Sequence, residues 1–296
     1  MNEPRIEPSA LPPVRRMRGW RLYTEDGRRF LDLRLLDNRG FLGAKGRYAG
    51  TRAKNGIDLG LLKEAPGRHL DRLRKALAAD FPGVAFRFYR NEERALAALD
   101  LPRSALRDPL AREAGRTAPT SGAPGAAASE TTAAVQRFFL SPEEDARLAA
   151  SPVRLLPLPC PLPFGPGILA FSDPAAAASV AEDELPPIQP FAAIRAWEDF
   201  RGMTVRLAGG RRARSGEGAP AYTEDFWKRT DRRLSPFFER RGPYLYARCP
   251  RTDWESFRAR ALEAGCVLTP EWDLPSIVPG EFDDGELKNL AKALGG

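Results

Sequence analysis

From Trp20 to Leu33 the chain alternates with a period of two. Trp20, Leu22 and Thr24 fall on one side and Arg21 and Tyr23 on the other, and the pattern turns back at Glu25-Asp26-Gly27. This predicts a β-hairpin, with glycine supplying the positive φ of the reversal. From Pro66 to Asp80 the period changes to that of a helix. Leu70, Leu73, Leu77 and Phe81 share one face, and Pro82-Gly83 ends the pattern. Val84 to Tyr89 reads as a strand. Asn91 to Leu99 reads as a helix with Asn91 as N-cap and Ala95, Leu96 and Leu99 turned to the core.

The second half continues in short elements. Ser141-Pro142-Glu143-Glu144 opens a helix, Gly167 to Phe171 is strand-like, and Pro190 to Phe200 is helical. Tyr244 to Cys249 is a strand. Thr252-Asp-Trp-Glu255 reads as a capping box ahead of a helix that buries Trp254, Phe257, Ala261 and Leu262 and closes at Gly265. A strand from Cys266 to Thr269 and a helix through Leu287, Leu290 and Leu294 complete a small α/β lobe. Between these elements lie a Pro-rich, extended stretch at 1–17 and a Gly-rich, basic segment from Asn38 to Leu62. A small-residue linker follows at 114–134, then proline-punctuated chain from Val153 to Asp173 and a flexible basic loop at 208–219.

Composition narrows the classes. A chain of 296 residues buries roughly three quarters of its unfolded surface, and 28 prolines argue against long helical bundles. Net charge is +7, carried by 39 arginines and only 7 lysines, with 39 carboxylates interleaved. A basic module for nucleic acid or acidic protein, using Arg211, Arg212, Arg214 and the group from Arg229 to Arg241, is the minority reading against a salt-bridged surface. The three cysteines, Cys160, Cys249 and Cys266, form no close pair, and with the single histidine, His69, they make no zinc pattern. His69 itself reads as a surface or capping residue. No signal core or membrane span is present, so a cytoplasmic protein is expected.

The hairpin also carries a family likeness. Leu22-Tyr23-x-x-Asp26-Gly27-x-x-Phe30-Leu31-Asp32, followed by Gly40-x-Leu42-Gly43, resembles the opening of a class III, fold type I, pyridoxal-phosphate aminotransferase. Phe86 to Leu99 resembles that family's strand, phosphate turn and helix. Pro190 to Phe200 is similar to the helix leading from its large to its small domain, and Gly242 onward to its C-terminal domain. The resemblance implies an α/β protein, a reduced three-layer α/β core with a small C-terminal α/β lobe. Its parts would be an N-terminal segment with the hairpin at 1–65, a reduced large domain at 66–200 and a C-terminal domain at 201–296. It also implies a homodimer.

The family's chemistry needs a Schiff-base lysine, a phosphate cradle and a carboxylate facing the pyridine nitrogen. No lysine occurs between Lys75 and Lys228, and arginine is no substitute nucleophile. The turn Tyr89-Arg90-Asn91-Glu92-Glu93 lacks glycine and serine, which leaves Arg90 and Asn91 as the residues able to touch a phosphate. Asp173 is the carboxylate placed by context, against its local reading as the N-cap of Asp-Pro. The expectation is therefore a pseudoenzyme with no catalytic residue and a binding or scaffolding role. No cofactor is expected. The alternative is a pyridoxal-phosphate enzyme using Lys45, Lys54 or Lys228.

Overall fold

A computed structural model describes residues 11–44, 46, 48–112, 133–161, 164–207 and 224–295. The chain opens with β1 (Val14–Arg18), β2 (Arg21–Thr24), β3 (Arg29–Asp32), α1 (Ala49–Asp58), α2 (Arg68–Asp80), β4 (Ala85–Tyr89) and α3 (Glu92–Ala97). It continues through β5 (Ala134–Val135), α4 (Pro142–Ala149), β6 (Val153–Leu155), β7 (Gly167–Phe171), α5 (Pro174–Ala178) and α6 (Ile188–Leu207). It closes with α7 (Glu224–Leu234), β8 (Phe238–Arg241), β9 (Tyr244–Ala247), α8 (Trp254–Glu263), β10 (Cys266–Val267), β11 (Ser276–Ile277) and α9 (Asp284–Gly295). These residues form two compact units, 1–50 with 196–296, and 51–195.

In the first unit the hairpin forms where the alternation places it. β2 and β3 pair antiparallel with Leu22 opposite Phe30, and Gly27 turns the chain at φ 83°. Asp26 braces the turn by accepting from the Arg28 amide at 3.2 Å. β1 adds on one side of β2, and the C-terminal β10 pairs parallel with β3 on the other. A second antiparallel sheet runs β11-β9-β8. The two glycines after the hairpin are there for close approach. A Cβ on Gly40 would stand 2.2 Å from the Arg34 carbonyl, and one on Gly43 2.7 Å from the Gly19 carbonyl. Trp20 Nε1 closes this corner by donating to Gly40 O at 2.8 Å.

The C-terminal helices keep their expected faces, with Trp254, Phe257 and Ala261 buried on α8 and Leu287, Leu290 and Leu294 on α9. The capping box at Thr252 does not form. A turn of 3₁₀ helix, Arg251–Asp253, precedes α8, so Asp253 takes the cap position and the Thr252 hydroxyl donates to its carboxylate at 2.9 Å. The extra turn moves the helix start by one residue and with it the box register.

The second unit is built on a four-stranded sheet of order β4-β7-β6-β5. β7 is antiparallel to both neighbours and β5 is parallel to β6, so β4, β5 and β6 all run the same way. Strand alternation divides the side chains between two faces. On one, Tyr89, Val153, Leu155, Leu169 and Phe171 join Ala95 of α3 and Ala177 of α5 in a buried cluster. On the other, α2 lies over Phe86 and Phe88. Arg74 donates to the Phe86 carbonyl at 2.6 Å and stacks 4.8 Å from the Phe88 ring, and Phe81 meets Phe86 edge-on. Helices on both sides of a sheet give the three-layer α/β arrangement.

Asn91 caps α3 as expected, and Ser141 and Glu144 complete a capping box at α4. Leu73 and Leu77 are the buried face of α2, about 2 kcal/mol of transfer free energy each. The Gly-rich segment before it contains α1, packed so closely on α6 that a Cβ on Gly56 would stand 2.9 Å from Ile188. Of the small-residue linker, 114–132 lies outside the described residues, as do residues 1–10 and the basic loop at 208–219. Ala133 and Ala134 are buried, however, and Ala134 opens β5, so strand replaces linker there. Among the described residues, no helix is long and apolar enough to cross a membrane.

Candidate functional site

In sheets with parallel strands, ligands sit outside the carboxyl ends of those strands. Here that edge comprises the turn Tyr89–Glu93 after β4, Gln136 and Arg137 after β5, and the chain after Leu155 of β6. Asp173 is at the other end. Tyr89 pairs with Gly167 while Ala85 pairs with Phe171, so Asp173 leaves β7 at the edge where β4 begins. Four strand intervals, about 13 Å, separate the two edges. The structure thus does not bring Asp173 together with Arg90 and Asn91. Asp173 instead caps α5, accepting from the Ala175 amide at 2.8 Å with Pro174 in the first helical position.

The turn after β4 is closely occupied. Asn91 Oδ1 accepts from the Arg94 amide at 2.8 Å. The Arg90 amide, the donor a bound phosphate would need, goes to Asp183 Oδ2 at 3.1 Å, and Arg94 pairs with Asp183 Oδ1 at 3.0 Å. The Arg94 guanidinium, with help from the Arg90 amide, holds the Asp183 carboxyl below its usual range. Gln189 Nε2 donates to the Arg90 carbonyl at 2.8 Å, and the Arg90 guanidinium reaches Glu64 at 3.2 Å. Glu92 pairs with Arg103. Gly167 lets β7 begin against this turn, since a Cβ there would lie 2.0 Å from Asn91 O. A protein carboxylate therefore occupies the position where the turn could take an external anion.

Two arginines that the sequence reading passed over stand behind this edge: Arg137, two residues past the end of β5, and Arg154, in the middle of β6 and level with Phe86 near the start of β4. Arg137, 2% exposed, is held by Asp108 through both Nε and Nη2. Arg154, 5% exposed, has no such partner. Its Nη1 donates to Gln136 Oε1 at 3.0 Å, Gln136 Nε2 donates to the Arg137 carbonyl at 2.8 Å, and the wholly buried Arg154 Nε has no hydrogen-bond partner among the described residues. Arg154 pairs across the sheet with Ala134 on one side and Ala170 on the other, so neither neighbour supplies charge. On the opposite face the Tyr89 hydroxyl is likewise buried without a partner, and burial pushes its pKa up to about 12.

Other candidate groups are placed without convergence. His69 packs edge-on to Phe191 at 4.8 Å and lines a cavity of about 290 Å³ with Leu70, Glu182, Asp183 and Leu185. Burial and the nearby Arg68, Arg72 and Arg52 lower its pKa. Cys160 and Cys266 are buried, and burial raises the Cys266 thiol to about 12. Among the described residues, no His, Cys, Asp and Glu group could hold a metal ion. Arg229, Arg240 and Arg241 pair with Asp284, Asp231 and Glu239, while Arg211, Arg212 and Arg214 lie outside the described residues.

No protein-family model matches the sequence. An uncharacterized protein of Treponema pallidum (strain Nichols) is 27% identical over 297 residues, covering 90% of this chain and 88% of that protein. Among solved structures, ornithine aminotransferase PY00104 from Plasmodium yoelii superposes with a TM-score of 0.61 at 11% identity, over 97% of this chain and 94% of that one. A transaminase with pyridoxal phosphate bound gives 0.60 at 12%, over 95% and 90%. The fold is that of a fold type I aminotransferase.

Pyridoxal phosphate is bound in one of these neighbours, and the carboxyl edge of this chain's second-unit sheet carries no lysine. No lysine occurs anywhere between Lys75 and Lys228. Lys54, Lys63 and Lys75 are exposed on or beside α1 and α2, and Lys228 is exposed on α7; Lys45 lies outside the described residues. The turn amide is given to Asp183, and the buried polar pair is a guanidinium and an amide in place of a carboxylate. Neither Gln136 nor Arg154 stands in a motif. Their one signal was a polar residue in or directly after a short apolar strand, Gln136 after Ala134–Val135 and Arg154 within Val153–Leu155.

Proposed function

We propose that this chain uses an aminotransferase fold without Schiff-base chemistry and serves as a binding protein or scaffold. Covalent attachment of the aldehyde needs an amine at the carboxyl edge, and the lysine-free run from residue 76 to 227 removes it. That single observation carries the reading, and the Asp183 carboxylate against the Arg90 amide supports it. The likeness to the class III branch rests on the hairpin motif, whose Gly40 and Gly43 are accounted for by close packing and, at Gly43, a φ of 68°.

A second reading, an active pyridoxal-phosphate enzyme with a relocated lysine, is favoured by the likeness to a transaminase with that cofactor bound. One experiment separates the two. Full-length protein is incubated with pyridoxal phosphate, reduced with borohydride and mapped by mass spectrometry. The proposal expects no stoichiometric adduct and no visible aldimine band. A single stoichiometric adduct at Lys45, Lys54 or Lys228, with a band abolished by the matching Lys→Ala change, would replace it with the second reading.

A further inference from the structure

We propose that the second unit's sheet binds the oxyanion of a small molecule, a carboxylate or a phosphate, where Arg154 of β6 reaches Gln136 just past the end of β5, with the Arg154 guanidinium as receptor and Gln136 as the residue that positions it. This rests on the binding role above and names its ligand class.

A guanidinium stays protonated in proteins. Enclosing it without a counter-charge costs several kcal/mol, and folded chains avoid this by pairing. Arg137 and Arg154 are nearly equally enclosed, and among the described residues only Arg137 has a carboxylate partner. Arg137 has the bidentate carboxylate of Asp108, whereas Arg154 has one neutral amide oxygen, an Nε without a partner among the described residues, and alanines as both cross-strand neighbours. Burial accordingly lowers the Arg154 pKa, with a counteracting pull only from the exposed Asp145.

Gln136 does not neutralise the charge. It is fixed between the Arg137 carbonyl and Arg154 Nη1, and so sets one nitrogen of the guanidinium while leaving the Nε side of the fork uncommitted. Two roughly parallel N–H donors are what a planar carboxylate or a phosphate accepts. The turn after β4, by contrast, has its anion position filled by Asp183, whereas Arg154 has no carboxylate partner among the described residues.

The test is thermal melting of the full chain in sodium phosphate and in sodium succinate, each against sodium chloride at equal ionic strength. The expected result is a saturable rise in Tm with one of the two oxyanions, as mass action requires of a ligand that binds only the folded state. A response to phosphate alone identifies a phosphate ligand, and to succinate alone a carboxylate. Arg154→Met should abolish the rise, and Arg154→Lys, which lacks the fork, should weaken binding at least tenfold. Without added anion, Arg154→Met should melt no lower than the wild type. No saturable shift in the wild type, an undiminished shift in Arg154→Met, or an Arg154→Met protein that is unfolded or as unstable as Arg137→Met would each overturn the proposal. Because no aldehyde is present, failure here leaves the borohydride result untouched.

Discussion

The hairpin unit and the sheet unit each place an arginine on a strand and bury it, and they treat the charge in opposite ways. Arg21 of β2 is 9% exposed, and three carboxylates surround it. Glu286 meets Nε at 2.9 Å, Glu281 meets Nη1 at 3.0 Å, and Asp283 lies 3.4 Å from Nη2. Hydrogen bonding to Glu286 raises its pKa, whereas desolvation lowers that of Arg154. A counter-charge built into the chain marks Arg21 as framework, joining the hairpin to the start of α9. A missing counter-charge marks Arg154 as a place where something else completes the structure. The difference concerns partners, since burial is similar.

The strongest way to break this comparison is to remove the framework arginine. Arg21→Met leaves Glu286, whose side chain is 11% exposed, with the Asp283 amide at 2.7 Å and, among the described cations, Arg29 at 3.4 Å. Breaking a buried pair from one side costs about 3–5 kcal/mol, and Arg29 should hold the loss near the lower figure. Urea unfolding of the variant against the wild type measures it. A loss under about 1 kcal/mol would show that Arg21 is no more tied to its carboxylates than a surface residue, and the contrast with Arg154 would lapse.

A smaller effect sharpens the reading of the turn after β4. Asn91→Ala removes the acceptor of the Arg94 amide and should cost about 1 kcal/mol. It should leave oxyanion binding unchanged, because Asn91 serves only as a cap. A loss of phosphate response in this variant would return the turn to the role the family likeness gives it.

What the sequence showed and what it hid divide along the same line. The hairpin, the Asn91 cap, the Ser141 box and the Asp173 cap depend on residues within a few positions of each other, so their side-chain and turn chemistry is written locally. The displaced box at Thr252 was local too, and a single turn of 3₁₀ helix was enough to shift it. The site was hidden because it depends on strand direction and register. Asp173 had two readings, a helix cap and a cofactor carboxylate, and the strand direction that sets it at the edge away from Arg90 and Asn91 is not written in the local sequence. Gln136 and Arg154 are 18 residues apart, and they meet because β5 and β6 pair in parallel with Ala134 opposite Arg154. β5 also emerges from an alanine-rich stretch whose composition argues for a linker.

Tyr89 gives the finest test, because it shares the missing partner but carries no charge. Its hydroxyl is buried without a partner on the face opposite Arg154, so Tyr89→Phe at neutral pH should be neutral or stabilising by less than about 1 kcal/mol. The informative range is alkaline. Burial raises the phenol from its ordinary 10.0 to about 12. The folded state therefore holds the proton more tightly than the unfolded one. The resulting stability is complete below pH 10 and is lost between about pH 10 and 12 as the unfolded phenol ionises first. Tyr89→Phe should flatten that part of the stability curve relative to the wild type, while Arg154→Met should leave it unchanged. Were the two curves to coincide up to pH 12, the Tyr89 hydroxyl would have to be in contact with water.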